Sequence, residues 1–232
     1  DHGLPAVRPR EAATLIIVRQ EQEPKVLMGK RAASHRFMPN KFVFPGGRLD
    51  LIDQRLRVPR DLSTPVMRRL TESTRASVSE NKLRGLALAA IRETFEETGL
   101  IIGRRTENRL HTSNPVWQSY FDHGVEPPLD KMDFIPRAVT PAYRTRRFDT
   151  RFFIVHDELI HPDPDEMGRA SGELLDLHWL TLEETKALDL PTITRWIIDM
   201  VGERLQYDRE EQLRTPAPYV RFVNGRATIA TL

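Results

Sequence analysis

The sequence predicts an α/β fold in which a mixed β-sheet carries helices on its faces. Three observations predict it. Short apolar, β-branched runs and amphipathic stretches succeed one another in the order β, β, β, α, β, β, β, α. The stretch from near Asn81 to Thr98 reads as a helix, with Leu88, Ile91 and Phe95 as its apolar stripe. Turn signals punctuate the strand pairs, as at Pro45-Gly46-Gly47 and Asn224-Gly225.

Ala12 to Val18 predicts the first strand and Lys25 to Gly29 the second, with the polar stretch Arg19 to Pro24 making the pair a hairpin. Lys41 to Phe44 predicts a further strand, stopped by Pro45-Gly46-Gly47, whose two glycines are free to take positive φ. From Leu51 to Arg84 the chain is polar and charged, with helix-compatible stretches such as Thr64 to Thr71. Asn114 to Phe121 predicts a short helix, and Ala138 to Pro141, Thr150 to His156 and Leu174 to Leu180 predict strands. Thr181-Leu182-Glu183-Glu184 has the spacing of a capping box opening a helix. Thr192 to Leu205, preceded by Pro191, is a further amphipathic helix. Tyr219 to Val223 and Arg226 to Ile229 flank Asn224-Gly225, a hairpin pair.

A chain of 232 residues is one domain with additions or two small ones. Its net charge of +2, with acids and bases both abundant, supplies no bulk electrostatic reason to bind nucleic acid or a membrane. Cysteine is absent, which excludes disulfides, thiolate metal sites and cysteine nucleophiles. Any metal must therefore be held by oxygen or imidazole. No H-x-x-x-H pair suggests zinc, and no G-x-S-x-G or Walker A sequence suggests an acyl hydrolase or a P-loop. Asp1 to Arg10 has no apolar core, and runs such as Leu15 to Val18 are too short to span a bilayer, so the expectation is a soluble, cytoplasmic protein.

The most informative segment is Arg92-Glu93-Thr94-Phe95-Glu96-Glu97-Thr98-Gly99-Leu100. Glu93, Glu96 and Glu97 are spaced i, i+3 and i+4, so they share one helix face and repel by a few tenths of a kcal/mol per pair. They also crowd the C-terminal turns, where the helix dipole disfavours anions. Arg92 can pair with Glu96 but does not neutralise three glutamates; a hard divalent cation with oxygen ligands would. A solvated acidic face is the plainer alternative.

Gly47 and Arg92-Glu93-x-x-Glu96-Glu97-x-Gly99-Leu100 together resemble the signature of the Nudix hydrolases, G-x5-E-x7-R-E-U-x-E-E-x-G-U, where U is a bulky aliphatic residue. Thr94 stands at the first U position. Between Gly47 and Arg92 lie 44 residues where the pattern has 13, so about 31 are inserted inside the box. The first glutamate is left unassigned: counting back from Arg92 reaches Arg84, counting forward from Gly47 reaches Asp53, and Asp50 or Glu80 could stand in for it in space. A second pattern, L-L-T-x-R-[SA]-x3-R-x3-G-x3-F-P-G-G, resembles that of coenzyme A Nudix enzymes. Leu27, Arg31, Ala32, Arg36, Phe44, Pro45, Gly46 and Gly47 fall in register with it, while Met28, Gly29 and Asn40 depart from it.

The resemblance implies a Nudix-type α/β/α sandwich over residues 10–207, with 51–84 as a helical insertion and 208–232 as a C-terminal extension. It implies a hydrolase that cleaves the diphosphate of coenzyme A or an acyl-CoA with Mg²⁺, for which Mn²⁺ should substitute. Glu93, Glu96 and Glu97 would hold the metal, and Arg92 would position them. Gly46 and Gly47 would let the backbone approach the helix and the diphosphate. Arg31 and Arg36 would bind substrate phosphates, with Arg144, Arg146, Arg147 and Arg151 as a second set. For the general base Glu173, six residues before Trp179, fits the position the resemblance implies, with Asp165, Glu166 or a box glutamate, Glu97 or Glu93, as alternatives. Other readings are a hydrolase of ADP-ribose, NADH or another nucleoside diphosphate derivative, and a silent nucleotide-binding module. The partner is a small-molecule nucleoside diphosphate, and a homodimer stays open. The insertion is expected to form helices beside the active-site mouth.

Overall fold

A computed structural model describes residues 7–31, 41–74, 77–161, 174–223 and 226–231. Strands β1 (Arg10–Arg19), β2 (Lys25–Arg31), β3 (Phe42–Val43) and β4 (Gly46–Arg48) precede helices α1 (Leu51–Arg55), α2 (Thr64–Glu72) and α3 (Glu80–Thr98). There follow β5 (Ile101–Ile102), β6 (Arg104–Arg105), α4 (Pro115–Phe121), β7 (Val125–Glu126), β8 (Asp133–Val139), β9 (Phe148–His156) and β10 (Ile160–His161). The chain continues through β11 (Leu174–Thr181), α5 (Leu182–Lys186), α6 (Thr192–Arg204), α7 (Arg209–Arg214), β12 (Pro218–Val223) and β13 (Arg226–Thr231).

The main sheet has the order β11-β2-β1-β9-β8-β12-β13, with β3 added to β2 and β4 to β1. It is mixed, because β1 is antiparallel to β2 and β4 but parallel to β9. Alternation along β1 builds two cores. Ala13, Leu15 and Ile17 join Leu83, Leu86 and Ala90 of α3 on one face. Ile16 and Val18 join Ile197, Ile198 and Val201 of α6 on the other. The result is the α/β/α sandwich expected, with α3 and α6 as its outer layers.

The structure differs from expectation at identifiable places. Pro45-Gly46-Gly47 predicts a turn, yet Gly46–Arg48 is a short strand whose Gly46 and Gly47 face Thr14 and Ala13 of β1. Neither glycine has positive φ; among the described residues only Gly99 and Gly124 do. Strand β8 starts at Asp133 rather than near Ala138, because the buried Asp133 is neutralised inside the fold. Asn224-Gly225 lies outside the described residues, but the strands on either side pair as an antiparallel hairpin.

The segment 51–84, expected as an insertion, is built into the core rather than standing only at a site mouth. Val66 and Leu70 of α2 are fully buried with α3. Arg69 donates to the carbonyls of Phe134 and Thr215 at 2.8 and 2.9 Å and to Asp133 Oδ1 at 2.5 Å. Asp133 Oδ2 accepts from Arg204 of α6 at 2.6 Å, so one carboxylate ties α2 to the opposite helical layer. The C-terminal hairpin is tied in turn by β12 pairing parallel to β8 and by Arg137 lying 4.5 Å from the Tyr219 ring.

Candidate active site

Helix α3 carries the acids and is well founded. Ser79 caps its start, accepting from the Lys82 amide, and Gly99 ends it in the left-handed conformation at φ 74°. Thr94, the polar residue where the Nudix pattern has an aliphatic one, is fully buried and returns its hydroxyl proton to the Ala90 carbonyl at 2.7 Å. The substitution therefore leaves no donor unsatisfied.

Across from the acids runs β4. A Cβ on Gly47 would lie 2.2 to 2.4 Å from the Glu93 carboxylate atoms, and one on Gly46 would lie 2.5 Å from the Ala13 carbonyl oxygen. At Gly46 the obstacle is backbone and only glycine fits; at Gly47 it is the end of the Glu93 side chain, which would have to move, so both positions favour glycine for reasons of approach rather than of φ. The Gly46 amide donates to Glu97 Oε2 at 2.9 Å, so strand and helix meet at the carboxylates.

Arg92 organises the rest. Its Nε and Nη2 dock on the two oxygens of Asp53, each at 2.9 Å, and Nη2 also reaches the Arg48 carbonyl at 2.9 Å. Its Nη1 donates to Glu93 Oε1 at 3.0 Å and to Glu96 Oε2 at 2.6 Å. All five guanidinium protons are thus used. Asp53 is 0% exposed, and it completes its own set by accepting from the Asp50 amide at 3.0 Å and from Trp117 Nε1 at 3.1 Å.

Asp53 is the residue at the first-glutamate spacing from Gly47 in the pattern, and it is the acid on which Arg92 docks. Asp50, by contrast, is largely exposed and 3.8 Å from Arg92, and Glu80 lies in the first turn of α3. Sequence counting reached Asp53; what hid its role was an aspartate where glutamate is usual. Nothing in the sequence pointed to Trp117.

Burial would lower the Arg92 pKa, but the hydrogen bonds and charge of Asp53, with help from Glu93 and Glu96, raise it above its ordinary value. Burial raises the Glu93 carboxyl pKa, and the attraction of Arg92 only partly offsets this. As placed, Glu93 and Glu96 share Arg92, and among the described residues no three acid or imidazole groups stand together as a metal cage. The donor set nevertheless fits a hard divalent cation by its chemistry. It offers oxygen ligands only, from Glu93, Glu96 and Glu97 on neighbouring turns of α3.

The other expected residues are distributed as follows. Arg31 ends β2, its backbone paired with Leu174 of β11. Arg36, Glu173, Asp165 and Glu166 lie outside the described residues. Arg151 and Arg147 are both engaged within the chain. Arg151 is 1% exposed against Asp149 at 3.0 Å, and Arg147 donates to the carbonyls of Thr140 and Val7 at 3.0 and 2.7 Å. Arg144 lies over the neighbouring Tyr143 ring at 5.5 Å.

The chain has the fold of the Nudix hydrolase superfamily. It is similar to the crystal structure of a NUDIX hydrolase from Alicyclobacillus acidocaldarius, with a TM-score of 0.59 and 23% identity, covering 84% of this chain and 92% of that one. It is also 28% identical over 188 residues to putative nudix hydrolase 7 of Caenorhabditis elegans, covering 75% of this chain. The match spans about half, 52%, of that relative's length. No family model matches the chain. Among the described residues no helix is long and apolar enough to cross a membrane.

Proposed function

We infer that the protein is a Nudix-type pyrophosphohydrolase that cleaves the diphosphate of coenzyme A or an acyl-CoA. The products are 3′,5′-ADP and the corresponding 4′-phosphopantetheine. The observation that carries the reaction class is the meeting of Glu93 and Glu97 with the glycine strand while Arg92, docked on a buried Asp53, holds Glu93 and Glu96. Repelling carboxylates held at this cost in a partly buried position serve a reaction better than a binding surface. Glu93, Glu96 and Glu97 would hold Mg²⁺, which when bound neutralises phosphate oxygens and lowers the pKa of water. Arg92 keeps Glu93 and Glu96 together before the site is loaded, and the glycines let the strand lie against the carboxylates.

The substrate assignment is supported by the register of Leu27, Arg31, Ala32 and Arg36 with Phe44 to Gly47. Arg31 and Arg36 would bind the phosphates, including the 3′-phosphate of coenzyme A. Hydrolysis of coenzyme A, dephospho-coenzyme A and ADP-ribose should be compared at matched magnesium. Preference for coenzyme A is expected, and equal rates on all three would remove the 3′-phosphate clamp. A protein that cleaves no nucleotide diphosphate with any divalent ion would be a binding module instead.

A further inference from the structure

We propose that Trp117 is a positioning residue of the carboxylate centre, acting through Asp53 and Arg92 on Glu93 and Glu96. The proposal rests on the hydrolase reading of that centre. Trp117 lies on α4, 64 residues beyond Asp53 in sequence, and its ring is 0% exposed. Tyr120 and Phe121 pack on it with ring centroids at 5.2 and 5.9 Å. Packing accounts for the ring but not for where its one donor goes. The indole proton is spent on Asp53 Oδ1, the oxygen that also receives Arg92 Nε.

The geometry makes that bond consequential. A guanidinium is a rigid plane, and Asp53 grips one edge of it, Nε and Nη2, while the far corner, Nη1, carries Glu93 and Glu96. Any roll of the Asp53 carboxylate therefore swings Nη1 across the acids. Two contacts outside Arg92 oppose that roll, the Asp50 amide on Oδ2 and the Trp117 indole on Oδ1. Asp53 is one methylene shorter than glutamate and needs its helix close to α3. Gly85 permits this, since a Cβ there would lie 3.1 Å from the Gln54 backbone. Trp117 thus completes a relay from α4 through α1 to α3.

The test compares Trp117→Phe, which keeps an aromatic ring and removes the donor, with Phe121→Leu, which disturbs the same ring cluster without touching Asp53. Magnesium is titrated against each folded protein and followed by its thermal shift. W117F should raise the half-saturating magnesium concentration about tenfold and lower kcat on coenzyme A with little change in KM. F121L should lower Tm and leave the magnesium midpoint in place. In wild type the Trp117 indole N–H resonance, assigned through its contacts with Tyr120, should shift on magnesium addition although the ring is buried. Should W117F fail to fold, that resonance decides alone. Equal midpoints in W117F and F121L, or an indole signal indifferent to magnesium, overturn the proposal. A wild type that neither responds to magnesium nor cleaves a nucleotide diphosphate with any divalent ion overturns the hydrolase reading and the relay with it.

Discussion

Glu96 and Glu97 differ in setting, and their variants test the centre directly. Glu96 is 40% exposed and hydrogen-bonded to Arg92, whereas Glu97 is mostly buried on the Gly46 amide. Glu96→Gln and Glu97→Gln should each reduce turnover by at least about 100-fold. Circular dichroism should show both folds unchanged. Glu93 adds a pH dependence. Its folded pKa is raised above the ordinary carboxylate value, so the fold favours its protonated form. That favourable contribution is complete below the unfolded value and is lost as pH rises through the raised one. In the absence of divalent ions, Glu93→Gln should therefore melt at or above wild type near neutral pH. The gap should close toward about pH 4, and turnover should be lost throughout. Melting curves across that range check the sign.

At the scale of elements, β4 and α2 carry the sharpest expectations. Gly47→Ala drives a methyl group into the Glu93 carboxylate, so strand or acid must move. It should cost about 1 to 3 kcal/mol of stability and most of the activity, measured by urea unfolding and coenzyme A hydrolysis. Asp133 is buried between Arg69 and Arg204. Asp133→Ala should cost about 3 to 5 kcal/mol by leaving both cations unpaired. Arg214→Ala, which breaks only the exposed pair with Glu210, should change stability by less than about 1 kcal/mol. The regular elements were legible because periodicity and caps act locally: Thr181 and Glu184 form the capping box their spacing predicts. Strand β4 was not, since Pro45-Gly46-Gly47 carries a turn's composition and its pairing with β1 is decided by a distant strand.

For the whole molecule, the sandwich and the acid face of α3 could be read from the chain, while the relay behind the acids could not. Asp53 and Trp117 stand far apart in sequence, and no spacing rule joins a short helix after β4 to one after β7. The C-terminal hairpin tests how the layers depend on one another. Removing residues 216–232 would bare the β8 edge and strip Tyr219 from Arg137. The truncated chain should self-associate on size-exclusion chromatography, as an uncovered strand edge does. The segment between α1 and α3 has a further consequence. An interrupted signature invites excision: joining α1 to α3 would restore an unbroken motif on paper. Yet Val66, Leu70 and Arg69 now fill the interior. Their loss would leave a void and strip Asp133 of one of its two cations. What reads as an interruption in the sequence is scaffolding in the fold, and it cannot be taken down without the building.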